Sequence, residues 1–236
     1  IYRLDPNGSP PVRLTFATTT DQTPSLSPDG STVAYRCDGQ ICSMGIDGTG
    51  KRTILALDAT SPTWPPSSDK IAVSLGGKIA VVDADGTSLM ELTPGFVDDN
   101  PAWSPDGQKT AFQRRAGTGQ PEDIFVVNSN GSGLKRLTNN GGVNDIRPQW
   151  TPDGQRVLFS SDRFGSFDIF AMKPDGTNQY RLASTVGDDY MGAVSPQGHR
   201  LVFSSNKDGD RELYSMNANG SGIERLTGDP GFDGDA

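Results

Sequence analysis

The residues best suited to chemistry are aspartates that recur at one spacing. Asp21, Asp98 and Asp145 each stand three positions before a proline, Pro24, Pro101 and Pro148, and Asp189 stands at the matching place before Gly192. Asp58 is out of step by one residue, and Asp233 and Asp235 add carboxylates near the end. Brought to one place, such carboxylates would form a ring that focuses negative potential, captures a hard cation such as Ca²⁺ and attracts basic groups of a partner. Asp98, Asp145 and Asp189 are the metal-ligand candidates, while Asp21, Asp58, Arg115 and Arg163 join them as candidate ligand or partner contacts. The competing reading is structural: each Asp accepts hydrogen bonds from loop amides and clamps neighbouring units, a device needed once per repeat.

Nucleophilic catalysis finds little to work with. The single histidine, His199, lies in the turn SPQGHR, where the equivalent positions are Thr32, Lys70, Lys109 and Arg156, and a Ser-His-Asp constellation needs a positioned imidazole. GxSxG, HExxH and GxxxxGK[ST] are all absent from the sequence. The expectation is a noncatalytic protein that requires no cofactor. A net charge of -8 has the wrong sign for a phosphate backbone, which argues against nucleic acid as partner. No stretch approaches the roughly 20 apolar residues that cross a bilayer, so membrane insertion is not expected. Cys37 and Cys42 bracket a DGQ turn, a spacing that sets them near each other across a hairpin and suggests a disulfide and an oxidising compartment; two free thiols are the alternative.

The elements that must position these residues are repeats. TPSLSPDGSTVAY, SPTWPPSSDKIAV, NPAWSPDGQKTAF, RPQWTPDGQRVLF and MGAVSPQGHRLVF are five copies of one phrase, each followed by a second shared phrase such as DIFVVNSNGSGLKRLT. The period, read from Pro28 to Pro66, Pro105, Pro152 and Pro196, is that of a four-stranded propeller blade. Pro and Gly punctuate every copy, which excludes helical repeats of the same length. In the third copy strands are expected at 101–104, 109–114, 123–128 and 134–138, joined by an SPDG turn, an irregular insertion RRAGTGQPED and an NSNGSG hairpin. The insertion is a candidate partner-contacting loop. Triplets such as Val157-Leu158-Phe159 barely alternate, as expected of strands covered on both faces.

The domain is therefore read as one all-β propeller, six-bladed in type, with antiparallel four-stranded blades at 23–55, 61–93, 100–138, 147–183 and 191–227. Residues 1–15 match only the outer half of a closing blade, whose inner strands would come from another segment or chain; five tightened blades are the alternative. The aspartates fall in the loops that join one blade to the next, all at one mouth of the channel. Opposite charges are expected to meet there: Arg163 with Asp168, Arg115 with Glu122 and Asp123, and Lys207 with Glu212. Trp64, Trp103 and Trp150 share the first-strand position and read as blade core. Asn7, Asn130 and Asn219 match a glycosylation sequon but share one hairpin corner, so turn chemistry is the expected role.

The pattern PxWSPDGxxIAF followed by IYxxDxDGxxxxxLT resembles the repeat of the TolB-like β-propeller family, over essentially the whole chain. The resemblance implies a noncatalytic, exported scaffold, periplasmic or extracellular, that binds a protein or peptide at the channel mouth, where Ca²⁺ can sit. It also implies two other roles: the gating or accessory propeller of a prolyl-oligopeptidase-like or other enzyme, and an architectural module of a secreted multidomain or self-associating protein.

Overall fold

The structure is a computed structural model, and it describes residues 1–4, 10–16, 20–95 and 97–228. Asn7, Asp233 and Asp235 lie outside the described residues. Two short strands, β1 (Tyr2–Arg3) and β2 (Val12–Arg13), pair with each other. Five four-stranded antiparallel sheets follow, each a meander in chain order. Blade one holds β3 (Asp21–Leu26), β4 (Thr32–Cys37), β5 (Gln40–Gly45) and β6 (Arg52–Leu55). Blade two holds β7 (Ala59–Thr63), β8 (Lys70–Leu75), β9 (Lys78–Asp83) and β10 (Met90–Glu91). Blade three holds β11 (Val97–Trp103), β12 (Lys109–Arg115), β13 (Glu122–Asn128) and β14 (Lys135–Arg136). Blade four holds β15 (Asp145–Trp150), β16 (Val157–Ser161), β17 (Asp168–Met172) and β18 (Tyr180–Ala183). Blade five holds β19 (Asp189–Val194), β20 (Arg200–Ser205), β21 (Glu212–Asn217) and β22 (Glu224–Arg225).

The core lies between sheets rather than within one centre. Separate apolar clusters join blades one and two, two and three, three and four, and four and five; a fifth, around Leu14, Val33, Tyr35 and Met44, joins the β1–β2 end to blade one. The triplets lack alternation because each face of a middle strand meets a different neighbouring blade. Trp150 is buried, and Trp64 and Trp103 pack against the interblade clusters, as the repeat position suggests. The first strands pack successively, β3 on β7, β7 on β11, β11 on β15 and β15 on β19, and so line the axis; among the described residues no comparable packing joins β19 to β3.

Glycine sets the spacing of the blades. In each hairpin between the third and fourth strands, a glycine at positive φ faces the last strand of the preceding blade. A Cβ on Gly86 would come 2.5 Å from the Ile54 carbonyl, and one on Gly176 2.5 Å from that of Leu137. Gly48 stands in the same relation to the Leu14 carbonyl, so β1–β2 occupies the place of the outer half of a preceding blade.

The first strands begin earlier than the sequence suggests. Asp21, Asp98, Asp145 and Asp189 were expected in loops, yet all four lie on first strands. The cause is a β-bulge. Thr23, Ser61, Asn100 and Arg147 adopt left-handed φ of 47–52° immediately before a proline, and the ladder resumes upstream of them. Proline ends a strand only if its missing N–H leaves a gap in the ladder, and the bulge lifts it out of register.

Candidate functional site

Antiparallel meanders give the ring two unlike ends. One end collects the starts of the first strands and the hairpins between second and third strands; it holds the candidates Asp21, Asp58, Asp98, Asp145, Asp189, Arg115 and Arg163. The opposite end is stereotyped. There the Ser27, Ser104 and Thr151 hydroxyls donate to Asp29, Asp106 and Asp153 two residues on, at 2.5–2.6 Å. Those bonds, with a backbone N–H added, lower the carboxyl pKa values. Asn130 and Asn219 do the same work in their hairpins, accepting from the N–H and hydroxyl of Ser132 and Ser221. His199 is exposed at this end.

At the candidate end the aspartates diverge. Asp98 is buried directly across the ladder from Arg114, whose Nε and Nη2 donate to its two oxygens at 2.6 and 2.7 Å, while the Thr93 hydroxyl adds a third bond at 2.6 Å. Asp145, fully buried, accepts from Arg163 Nη2 at 3.0 Å and Asn140 Nδ2 at 2.7 Å. Asp189 accepts from the Thr185 N–H and hydroxyl at 2.8 and 2.7 Å, and burial pushes its carboxyl above the usual range. Asp21 is half-buried at the start of β3. Asp58 precedes β7, its side chain 84% exposed, and meets Arg36 at 3.3 Å.

This donor set does not fit a calcium ion. Both oxygens of Asp98 and of Asp145 are taken by protein N–H and O–H groups, and a cation would have to displace a guanidinium from a buried carboxylate. Among the described residues no three of His, Cys, Asp or Glu gather so as to hold a metal. The geometry is that of the clamp reading. The backbone reinforces it: the Asp98 N–H donates to Gly77 of blade two and the Asp189 N–H to Phe167 of blade four.

Three of the four expected pairings change partners. Arg115 does meet Glu122, at 2.9 Å. Arg163 turns to Asp145 rather than Asp168, and Lys207 to Asp208 rather than Glu212. Asp123, Asp168 and Glu212 instead reach thirteen residues forward, to Arg136, Arg181 and Arg225 on the fourth strands. Blade two carries the same link with its charges exchanged, Lys78 to Glu91 at 2.7 Å. This thirteen-residue pairing was present in the repeats but is visible only when the second phrase of one copy is aligned with those of the others. Cys37 and Cys42 form the expected disulfide, diagonal across the hairpin with Cα atoms 5.9 Å apart.

A feature with no repeat counterpart, and therefore no sequence signal, joins blades four and five. The guanidinium of Arg147 lies 5.2 Å from the Tyr190 ring centre and that of Arg211 4.2 Å, with Phe167 packed on the same tyrosine at 4.8 Å.

A family model described as the TolB beta propeller domain matches residues 101–194. A protein TolB homolog of Chlorobium luteolum is 32% identical over 188 residues, 75% of this chain and 42% of that protein. The repeats are those of the TolB-like β-propeller family. The chain spans less than half the length of that curated TolB relative. Among solved structures, a putative TolB from Agrobacterium tumefaciens superimposes with a TM-score of 0.83 at 21% identity, covering 91% of this chain and 83% of that one. TolB from Acinetobacter baumannii gives 0.71 at 23% identity, covering 86% and 51%. These likenesses establish the TolB-like propeller fold, and no helix among the described residues is long and apolar enough to cross a membrane.

Proposed function

We propose that this TolB-like propeller is a noncatalytic scaffold of an exported protein, which binds a protein or peptide segment at the end carrying the first-strand starts. The observation that carries the reading is the inequality of the two ends. The far end repeats one self-satisfied Ser-Asp turn, whereas the hairpins of the candidate end differ in every blade: Asp38-Gly39, Gly76-Gly77, residues 116–121, 162–167 and 206–211. Variable loops on a rigid stack are how a repeat scaffold acquires a specific surface. Phe164, 65% exposed in one of these loops, supplies an aromatic anchor of the kind that dominates interfaces. The Cys37–Cys42 disulfide supports an oxidising compartment, periplasmic or extracellular. The exposed turn position of His199, away from the variable loops, supports a noncatalytic role.

The test is selection of displayed random peptides on the folded chain. Enriched peptides should lose binding on Phe164→Ala or Arg115→Ala and keep it on Asp106→Ala at the far end. Failure to enrich any peptide, or equal loss from Asp106→Ala, overturns the reading.

A further inference from the structure

The clamping aspartates recur from blade to blade, but one carboxylate at the same end does not. Asp99 follows Asp98 on β11, one of the first strands that line the axis, and the corresponding residues of the other blades are Gln22, Thr60, Ile146 and Tyr190. Its Oδ1 accepts from the Ser74 hydroxyl at 2.6 Å, the Asn100 N–H at 2.7 Å, the Ser61 hydroxyl at 2.9 Å and the Thr60 hydroxyl at 3.4 Å. Thr60, Ser61 and Ser74 belong to blade two, so the carboxylate is gripped across the junction of blades two and three. Its Oδ2 is left over. Among the described residues that oxygen accepts no hydrogen bond and Asp99 forms no ion pair, while the residue is partly exposed and Oδ2 is not sealed from solvent.

A clamp needs only an acceptor at Oδ1, which an asparagine would supply equally well. The carboxylate adds a negative charge that no cation of the described protein offsets, and a partly buried charge gains from a counter-charge brought to it. Oδ1 already meets more donors than it has lone pairs, so a partner must approach through one oxygen. The parallel fork of a guanidinium needs both oxygens, as Arg114 uses both of Asp98. A primary ammonium, a point charge with three donors, fits one. A lone free oxygen is not a Ca²⁺ set, which takes six or more oxygens. The donors at Oδ1 also hold the side chain in place, so little freedom is lost on binding.

We propose that Asp99 receives the side-chain ammonium of a lysine in the bound segment, which enters the axis from the mouth and meets Oδ2. The proposal rests on the peptide-binding reading above and names the residue that the segment must carry.

The experiment is an amide chemical-shift titration with three end-blocked pentapeptides, Ser-Leu-X-Leu-Ser, where X is Lys, Arg or norleucine. Blocking the ends removes the terminal ammonium as a source. The Lys peptide should bind saturably, shift the amides of Asp99 and Asn100, and bind about tenfold more tightly than the norleucine peptide, as one charge-assisted hydrogen bond implies, with the Arg peptide in between. Asp99→Asn keeps the acceptor at Oδ1, so the thermal midpoint should hold while the Lys peptide falls to the level of norleucine. The comparison of peptides on the unaltered chain stands even if that variant misfolds. Equal binding of all three, tighter binding of the Arg peptide, or indifference to Asp99→Asn overturns the proposal and leaves peptide binding at the mouth intact. Absence of binding by all three also overturns it, while peptides selected from the library would still uphold the wider function.

Discussion

At the scale of single residues, burial decides what each charge does. Arg114 and Arg115 are neighbours with the same side chain, but Arg114 is buried against Asp98 and Arg115 is partly exposed beside Glu122. Removing one partner of a buried pair strands the other charge. Arg114→Ala should cost about 3–5 kcal/mol, and Arg115→Ala no more than about 1 kcal/mol, in urea unfolding. Asp189 makes a pH prediction. Its folded pKa is raised, chiefly by desolvation, so its favourable contribution is present below the unfolded value near 3.9 and is lost as pH rises through the folded value. Asp29, Asp106 and Asp153 act in the other direction: their depressed values favour folding above about pH 4, and that contribution is lost as pH falls through their folded values. Asp189→Asn removes only the first term. Its stability relative to the parent should therefore improve between pH 4 and pH 7, measured by denaturant midpoints; a difference that does not change with pH would contradict the shift. The aspartate spacing was plain in the sequence, but the identity of each partner was not. Arg163 and Lys207 each had two acids within reach along the chain, and only the ladder register chose between them.

At the scale of elements, the blade is a local object and its limits are set by backbone chemistry. Turn residues and apolar triplets specify four strands without reference to any other blade. The bulge before each first-strand proline was missed, because a left-handed Thr, Ser, Asn or Arg before proline runs against local preference and is held by the neighbouring strand. The hairpin between the third and fourth strands offers a direct test of blade packing. Gly119 and Gly176 both have positive φ, but a Cβ on Gly119 would meet nothing within 4 Å, whereas one on Gly176 would press on the Leu137 carbonyl. Gly119→Ala should cost about 1 kcal/mol for its backbone conformation. Gly176→Ala should cost about 1–3 kcal/mol more, because the blade interface must open to admit the methyl group. Equal losses in urea unfolding would show that the hairpin does not set the interblade distance.

At the scale of the whole molecule, the ring turns five repeats into two surfaces of different kinds. The carboxylates of Asp98, Asp145 and Asp189 are engaged by protein N–H and O–H groups, so millimolar Ca²⁺ added to chelator-treated protein should leave the thermal midpoint unchanged. A saturable rise would show a cation site that the carboxylate geometry does not provide. What the sequence alone determined is the repeat: its period, its four strands and its turns follow from interactions within about forty residues and recur in five copies. What only the tertiary structure decided is which partner each charged side chain takes, within its own blade or across to the next. The inward pairing of Asp98 and Asp145, the forward reach of Asp123, Asp168 and Glu212, and the meeting of Arg147 and Arg211 on Tyr190 depend on ladder register and on the angle between sheets. A long charged side chain has several acids within its radius along the chain, and the difference among them is the depth of burial that packing imposes.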